Sequence, residues 1–330
     1  MKVTFFLRFP NPKFLSIEKL FSILNKEMIK KGIDTKNVYE VDPNFSLSGF
    51  MKTNLFFKKN QSEINHITGA IHWSVFLLNR KNTVLTIHDA GNISELSGVK
   101  KYFFKFLWFY LPLKKLKYVT VISEKTKKEL TEFFPWAENK ITVIPNCLTI
   151  PYQDFEKPVN SKPVILAVGY YPKKNLDRIL QAIIGIDVKI IIVGLLSPER
   201  IKFLQENNID YINFERASED ELIQAYKDSD ILCFPSLYEG FGLPILEAQA
   251  MKCCVITSNI SPMKEVAGDG AILVNPNSME EIRKAINDII SDQELKNKLL
   301  KLGQQNVIKY HPDVIAEQYI NYYKMILNNK

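Results

Sequence analysis

The chain has 330 residues, of which 46% are hydrophobic and 24% are charged, and its net charge is +7. This length leaves room for two domains with a core each, because single cores rarely grow beyond about 250 to 300 residues. No apolar run reaches the roughly 20 residues that span a bilayer. The first residues have only a very short apolar patch with Arg8 inside it, so we expect no signal peptide. The four cysteines show no metal-ligand spacing and indicate reduced thiols, so we expect a cytoplasmic protein.

The positive charge is concentrated in the first half of the chain. Residues 1–150 contain 23 basic and 12 acidic residues, a net charge of +11, whereas residues 151–330 have a net charge of −4. A basic half is typical of proteins that meet an anionic partner, such as a membrane surface, a lipid phosphate or nucleic acid. A lysine-rich proteome explains the many lysines but leaves the asymmetry unexplained.

Short β-branched runs alternate with helical patterns in the first half, which is typical of βαβ units around a parallel sheet. The predicted strands are residues 2–7, 83–89, 118–123 and 141–146, and the predicted helices are residues 16–32 and 124–134. Between them, residues 99–118 interleave lysines with aromatic residues. This segment is either a helix lying in the interface of an anionic membrane or a core helix with a solvated lysine face.

Residues 148–163 carry three prolines and no hydrophobic periodicity, and we interpret them as a linker between two domains. Beyond them the alternation resumes, with predicted strands at residues 164–169, 188–194, 230–236 and 254–259. We therefore predict an α/β protein of two doubly wound, Rossmann-like domains that face each other across a cleft. Residues 1–152 form the first domain, residues 153–313 form the second, and a helix at 314–330 returns to pack on the first.

The segment 234–255, "FPSLYEGFGLPILEAQAMKCCV", leaves a predicted strand at the edge where ligands bind in such sheets. Its proline is suited to a first helical turn, so a helix is predicted to begin there. The backbone N–H groups of Phe241, Gly242 and Leu243 then lie at a helix N-terminus, which favours an anion such as phosphate. Gly240 and Gly242 let a ligand approach the main chain closely.

Two carboxylates bracket this N-terminus. Glu239 precedes the helix, and Glu247 lies about one turn inside it. Because carboxylates accept hydrogen bonds, they suit sugar hydroxyls on either side of a bound diphosphate. The structural alternative is that Glu239 caps a turn and Glu247 is a solvated helix residue. The combination of both acids with the phosphate-binding N-terminus favours a nucleotide-diphosphate sugar as the ligand.

A second segment, "AVGYYPKKNLDRIL", leaves a strand at Gly169. Lys174 stands where an ammonium reaches phosphate oxygens, and Asn175 is a candidate cap for the next helix. The glycine patterns of a Walker loop and of a dinucleotide fingerprint are absent. The alternative interpretation is an ordinary surface loop with two lysines.

In the first domain, His88 ends a predicted buried strand in "LTIHDAGN". A neutral imidazole at that position suits a sugar hydroxyl or an acceptor, although a single histidine is often a structural residue. His66 and His72 are further candidates for lining the same cleft.

These segments together resemble a known family. "SLYEGFGLPILEAQA" resembles the E-x7-E signature, with its EGFG core, of the retaining glycosyltransferases of family four, which have the GT-B fold. "VISEKTKKEL", "ITVIPN", "AVGYYPKKN" and "SPMKEVAGDGAILVNP" stand in that family's order, and the resemblance runs through most of the chain. "RFPNPKFLSIEKLF" resembles the members that work on surface polysaccharides.

The resemblance implies an enzyme that moves a hexose-type sugar, with retention, from a nucleotide sugar to a glycan or lipid-linked acceptor in cell-surface polysaccharide synthesis. It places the acceptor in the first domain and the donor in the second. The residues implied in catalysis are Glu239, His88 and Lys174. Those implied in donor binding are Gly169, Tyr170, Lys173, Gly240, Phe241, Gly242, Leu243 and Glu247.

The chain departs from the family pattern at three places, one of which, Cys147 in place of the glycine of Pro-Asn-Gly, changes only a turn. Gly169-Tyr170 stands where Gly-Arg is common, so one phosphate cation is missing, with Lys173 or Arg178 as candidate substitutes. The glycine pair typical of the loop after the first strand is also missing. We expect no metal and no cofactor besides the donor, since "DSD" at 228–230 spans a helix end and the start of a buried strand.

Three other functions are weighed against the transferase. A GT-B-like nucleotide-sugar epimerase would act without an acceptor, and a phosphorylase would need a cofactor lysine that the sequence does not identify. A nucleic-acid-binding protein would explain the basic half, but no nucleic-acid-binding motif is present and we expect no such partner. We expect the protein to be in the cytoplasm, and the alternative is peripheral binding at the inner face of the membrane.

Overall fold

The computed structural model describes residues 1–10, 16–43, 46–90, 102, 104–152 and 154–329. Parts of the segments discussed above lie outside the described residues, namely 11–15 after the first strand, 91–92 after His88, 99–101 with 103 in the lysine- and aromatic-rich segment, 153 in the linker and 330 at the end of the last helix. The chain divides into two units, which are Met1–Thr149 with His311–Lys330, and Ile150–Tyr310. Both breaks fall three residues before the predicted boundaries.

The first unit is built on a parallel sheet, for which the described residues provide six strands. These are β1 (Lys2–Leu7), β2 (Asp34–Tyr39), β3 (Ile64–Ile67), β4 (Thr83–Ile87), β5 (Tyr118–Val121) and β6 (Ile141–Val143), in the order β2-β1-β3-β4-β5-β6. The four strands predicted here are confirmed. The sequence does not reveal β2 and β3, because β2 is a polar edge strand in which only Val38 is buried and β3 has polar Asn65 and His66 at its centre.

Besides its regular α-helices, this unit contains an irregular helical segment. Those preceding the second unit are α1 (Ser16–Lys30), α2 (Leu47–Lys59), α3 (Leu111–Lys115) and α4 (Glu124–Phe133). A stretch with π-helical hydrogen bonding, Lys105–Tyr110, leads into α3. The amphipathic pattern of α1 has its physical reason in the core, since Leu20, Leu24 and Met28 are buried on one face.

The second unit repeats the architecture. Its described strands are β7 (Val164–Val168), β8 (Lys189–Val193), β9 (Asp210–Phe214), β10 (Ile231–Phe234), β11 (Cys254–Ser258) and β12 (Ala271–Val274), in the order β12-β11-β10-β7-β8-β9. Its helices are α5 (Leu176–Ala182), α6 (Pro198–Glu206), α7 (Glu219–Asp228), α8 (Leu243–Ala250), α9 (Met263–Ala267), α10 (Met279–Ser291) and α11 (Gln293–Ile308). A capping box forms at the start of α7, where Ser218 and Glu221 are bonded reciprocally.

The last helix, α12 (Pro312–Asn328), belongs to the first unit. Tyr319, Tyr323 and Ile326 are buried in the same cluster as Phe5 and Leu24. Salt bridges add to this packing at the start of the helix, where the Lys31 ammonium lies 2.8 Å from a carboxylate oxygen of Asp313. The chain therefore returns to its first sheet after completing the second.

Candidate functional site

The strand order of the second unit places the two candidate loops next to each other. Counted from β7, the order reverses between β7 and β10, which are hydrogen-bonded neighbours. In a doubly wound sheet, ligands bind beyond the carboxyl ends of the strands at this reversal. Residues 169–174 follow β7 and residues 236–242 follow β10. The Leu237 N–H donates to the Lys173 carbonyl at 2.8 Å, which joins the two loops.

The second loop ends at the N-terminus of α8, as the sequence predicts. Gly242 is the N-cap residue and has a φ of 107°, a left-handed conformation that favours glycine. Gly240 lies just before it, and the Phe241 side chain is buried and packs on the ring of Tyr310. Because N–H groups of a first helical turn have no acceptor within the helix, the main chain from Phe241 to Leu243 suits an anion.

Lys174 and Glu239, one from each loop, contact each other directly. The Lys174 ammonium lies 2.7 Å from Glu239 Oε1, and the side chains are only 18% and 12% exposed. Gly169 makes this possible, since a Cβ at that position would lie 2.8 Å from Lys174 Cγ. The structure thus brings together two residues for which the sequence implies contacts with different parts of one donor.

Glu247 points into the interior from α8. Its side chain is 7% exposed, and Oε2 accepts a hydrogen bond from the Tyr226 hydroxyl at 2.9 Å. Burial, and secondarily the nearby Glu247 charge, raises the pKa of Tyr226 well above its usual range, so the phenol stays protonated as the donor. Sequence reasoning missed Tyr226, because a tyrosine in an amphipathic helix gives no signal beyond core packing.

Tyr170 occupies the position where the family pattern has a second cation. Its ring stacks on that of Tyr171, with centroids 4.3 Å apart, and its carbonyl accepts from Arg200. Lys173 is exposed, with its ammonium 5.9 Å from the centroid of the Tyr238 ring. Lys173 is therefore a cation at the edge of the candidate site.

Asn175 and Arg178 hold the loop after β7 in place. Asn175 is the N-cap residue of α5 but makes no side-chain cap, so the predicted capping is wrong. Its buried amide donates instead to the carbonyls of Pro235 and Pro276, at 2.9 and 2.6 Å. Arg178 donates to Asn175 Oδ1 and to the Pro276 carbonyl, so its guanidinium is bound within the protein.

His88 lies in the first unit, directly after β4, where the sequence places it. Its Nε2 is 2.7 Å from the Thr68 carbonyl oxygen, which only accepts, so Nε2 carries the proton and Nδ1 is the acceptor nitrogen of the neutral ring. Burial lowers the pKa of His88, which favours this neutral form. Gly69 admits the ring, since a Cβ there would lie 2.6 Å from His88 Cδ2.

His66 and His72 are structural residues, and their prediction as cleft residues is wrong. Both are buried, which lowers the pKa of His66 to about 3 and that of His72 to about 4. His66 bonds to the hydroxyls of Tyr323 and Thr86 at 2.6 Å, and His72 Nδ1 donates to the Trp108 carbonyl. Burial on a four-residue strand, which the sequence does not reveal, explains the error for His66.

The two aspartates at 228–230 bind groups of the protein. Asp230 Oδ2 accepts from the Asn160 amide at 2.9 Å and from the Val164 N–H at 3.1 Å. Asp228 accepts from the Gln224 amide at 2.7 Å. Within the residues that the structure describes, no group of three or more His, Cys, Asp and Glu side chains is arranged to hold a metal ion.

The lysine- and aromatic-rich segment has both an inner and an outer face. Phe109 is buried, whereas Phe106 is 48% exposed and Tyr102 is 73% exposed. The Lys105 ammonium lies 4.4 Å from the centroid of the Phe133 ring. Among the described helices, none combines the length and apolar character that crossing a bilayer requires. The packed aromatics fit the core-helix interpretation, while the outer face presents aromatic rings and lysines together.

Family models match nearly the whole chain. The model described as Glycosyltransferase Family 4 matches residues 17–150, and that described as Glycosyl transferases group 1 matches residues 152–306. The chain is 28% identical over 237 residues to O-antigen chain mannosyltransferase RfbU of Salmonella typhimurium, a match that covers 66% of this chain and 63% of that protein. It is 26% identical over 234 residues to O-antigen chain mannosyltransferase B of Escherichia coli, covering 64% and 61%. The match thus spans a little over 60% of these relatives' length.

Solved structures establish the fold. Sucrose-phosphate synthase from Thermosynechococcus elongatus has a TM-score of 0.73 at 16% identity, with all of both chains covered. HepE of Anabaena in complex with UDP also has a TM-score of 0.73, at 15% identity, covering 98% of this chain and 100% of that one. WaaG, a glycosyltransferase involved in lipopolysaccharide biosynthesis, has a TM-score of 0.68 at 12% identity, covering 97% and 99%. The predicted α/β, GT-B fold class is confirmed.

Proposed function

The chain belongs to glycosyltransferase family 4, which has the GT-B fold, and we propose that it transfers a hexose-type sugar from a nucleotide sugar to an acceptor hydroxyl. The acceptor in this proposal is a glycan or lipid-linked glycan of a cell-surface polysaccharide, such as O-antigen or capsule. Two O-antigen chain mannosyltransferases among the relatives support this choice. The complex of HepE with UDP supports a nucleotide-diphosphate donor.

The observation that carries the proposal is the contact between Lys174 and Glu239 at the strand-order reversal, beside the N-terminus of α8. An ammonium and a helix N-terminus together match a diphosphate, and a neighbouring carboxylate matches sugar hydroxyls. Glu247 lies one helical turn away and completes the match by accepting the ribose hydroxyls. A nucleotide sugar presents these groups in the same order.

The mechanism follows from where charge develops. When the bond between the anomeric carbon and the diphosphate oxygen breaks, negative charge grows on the leaving group and the sugar becomes oxocarbenium-like. Lys174 and the N-terminus of α8 stabilise that negative charge, so the proposed reaction requires no metal ion. The acceptor oxygen attacks from the face that the diphosphate leaves, and its proton passes to the departing phosphate oxygen. The configuration at the anomeric carbon is therefore retained.

His88 is proposed to contact the transferred sugar. Its Nδ1 is the acceptor nitrogen of the neutral ring, since Nε2 donates to the Thr68 carbonyl. A neutral acceptor nitrogen accepts a hydrogen bond from a sugar hydroxyl without adding positive charge beside the oxocarbenium-like carbon. Gly169, Tyr170 and Lys173 would border the diphosphate on the other side of Lys174.

A screen of melting temperatures against UDP-glucose, GDP-mannose and ADP-glucose tests the donor class. A donor that binds the native state at 100 times its Kd adds about 2.7 kcal/mol of stability, which is readily measured. We expect one nucleotide class to raise the melting temperature, and Lys174→Ala to abolish the rise while the variant remains folded. The absence of any rise with all three donors would contradict the proposal.

Turnover then separates a transferase from the other enzymes considered. Release of nucleoside diphosphate should depend on added glycolipid extract as the acceptor source, and Glu239→Ala should lower it at least a hundredfold. Release or sugar interconversion without an acceptor would instead indicate an epimerase. Wild-type turnover in both Lys174→Ala and Glu239→Ala would remove the site assignment.

A further inference from the structure

Tyr226 and Glu247 form a buried polar contact between two helices of the second unit. Tyr226, on α7, is 0% exposed, and its hydroxyl donates to Glu247 Oε2 on α8 at 2.9 Å. The two residues are 21 positions apart and meet in the interior. A carboxylate gives up its hydration when it is buried on folding, and the hydrogen bond from Tyr226 replaces part of that hydration.

The backbones that carry this contact are held together independently. The Lys157 ammonium donates to the carbonyls of Tyr226 at 3.2 Å and Met251 at 3.0 Å, and so links the end of α7 to the end of α8. The Cys253 thiol also bonds to the Tyr226 carbonyl, at 3.0 Å. Because the main chain is fixed on both sides, the distance from the phenol to α8 does not depend on the phenol's hydroxyl.

The hydroxyl instead contacts the carboxylate itself, at Oε2. A glutamate side chain that loses its rotational freedom on binding weakens the binding, and a fixed donor removes that entropic cost beforehand. Each carboxylate oxygen has two lone pairs, so Glu247 can accept ligand hydroxyls while it accepts from Tyr226. A vicinal pair of hydroxyls, as on the ribose of a nucleotide, fits a carboxylate held in one orientation.

We propose that Tyr226 is a positioning residue that orients the Glu247 carboxylate toward the 2′- and 3′-hydroxyls of the donor's ribose. The inference rests on the proposed function, since it assumes a nucleotide donor at this site. Tyr226 would then add to the selectivity for ribonucleotides over deoxynucleotides by acting through Glu247, without contacting the nucleotide itself.

Binding of UDP and GDP, each beside its 2′,3′-dideoxy counterpart, tests this role by titration calorimetry. Tyr226→Phe keeps the ring and removes only the hydroxyl. We expect about tenfold weaker binding of the ribonucleotide, because a hydrogen bond to a charged group is lost, and less than twofold change for the dideoxynucleotide. The donor KM should rise while kcat at saturating donor changes little. Tyr211→Phe, a partly buried tyrosine on β9, is the matched control and should change neither affinity.

Glu247→Gln, measured with the same ligand pairs, separates this inference from the proposed function. If Glu247→Gln reduces the preference for ribonucleotides but Tyr226→Phe weakens both ligands equally, Tyr226 is only structural and the inference is overturned while the function stands. If Glu247→Gln leaves that preference unchanged, the inference fails while the transferase function stands, and if no nucleotide binds the wild type, both fail. The double variant Tyr226→Phe/Glu247→Gln carries a neutral side chain at position 247 and so guards against misfolding caused by a buried charge that has lost a donor. In the Gln background the loss of the hydroxyl should change ribonucleotide affinity less than twofold, and a tenfold change would overturn the inference.

Discussion

The Lys174 ammonium has two anionic partners to choose between, the Glu239 carboxylate and the diphosphate of a bound donor. A diphosphate that binds at the N-terminus of α8 competes with Glu239 for Lys174, whose ammonium lies 2.7 Å from the carboxylate. Surface ion pairs contribute about 0 to 1 kcal/mol, and this pair, with side chains only 18% and 12% exposed, stands at the upper end of that range, so the competition costs about fivefold in affinity. We therefore expect Glu239→Gln to bind the nucleoside diphosphate up to about fivefold more tightly while turnover falls. Calorimetric titration with UDP and GDP measures the affinity.

Glu206→Gln is the control for this prediction, because Glu206 pairs with Lys202 at 3.6 Å on an exposed helix outside the candidate site. That variant should bind nucleotide as the wild type does. Unchanged or weaker nucleotide binding by Glu239→Gln would show that the ammonium does not exchange partners. Lys174 would then act on the protein rather than on the donor.

The residues of the site differ in how far sequence predicts them. Glu239, Lys174 and the α8 N-terminus are found from turn and helix signals around the strands that precede them. Their mutual contact depends on β10 lying beside β7, a pairing that no local pattern encodes. The Tyr226 contact depends on the packing of two helices, and the burial of His66 depends on a short strand, so neither is visible in the sequence.

Among the structural elements, the start of α8 places the strictest limits on which residue can occupy one position. Gly242 has a φ of 107°, and a Cβ there would lie 3.1 Å from Ile245 Cδ1. An alanine would be strained by about 1 to 3 kcal/mol and would turn the first N–H groups of the helix away from their present direction. We expect Gly242→Ala to lose about tenfold in affinity for the nucleoside diphosphate, as measured by calorimetry.

Gly185→Ala separates local strain from binding. Gly185 has a similar positive φ of 72°, lies in the same unit, and a Cβ there meets nothing within 4 Å. This variant should lose melting temperature through backbone strain but keep its nucleotide affinity. Equal losses of affinity in both variants would mean that the start of α8 has no special role in binding.

The strand predictions are incomplete in both units. The central strands β4, β5, β7, β8, β10 and β11 are apolar, and their sequences predict them. β2 and β9 are edge strands with mixed burial, for which period-2 and continuous apolar patterns both fail. An edge strand has one partner and one open side, so its sequence is less constrained by the core.

For the chain as a whole, the charge is unequal between its halves. The basic half, residues 1–150, with a net charge of +11, supplies nearly all of the first unit. Exposed apolar side chains lie in the same unit, including Phe106 at 48% and Leu47 at 82%. Lys105 is adjacent to Phe106 in the chain, and Lys52 lies on the same helix as Leu47. We propose that this unit binds the anionic surface of a membrane peripherally, which would place the enzyme beside a lipid-linked acceptor.

Co-sedimentation with vesicles tests this proposal. We expect binding to vesicles that contain phosphatidylglycerol and little binding to vesicles of phosphatidylcholine alone, with a decline as salt rises, because each lysine near an anionic surface contributes about 1 kcal/mol that ions screen. Phe106→Ser should weaken the binding several-fold, since the aromatic ring no longer enters the interface. Ile308→Ser, which changes a 57% exposed residue of the second unit, is the matched control and should bind as the wild type does. Absence of the protein from both pellets would exclude the membrane as the anionic partner, and salt-sensitive binding to an oligonucleotide would then identify nucleic acid as the partner of the basic half.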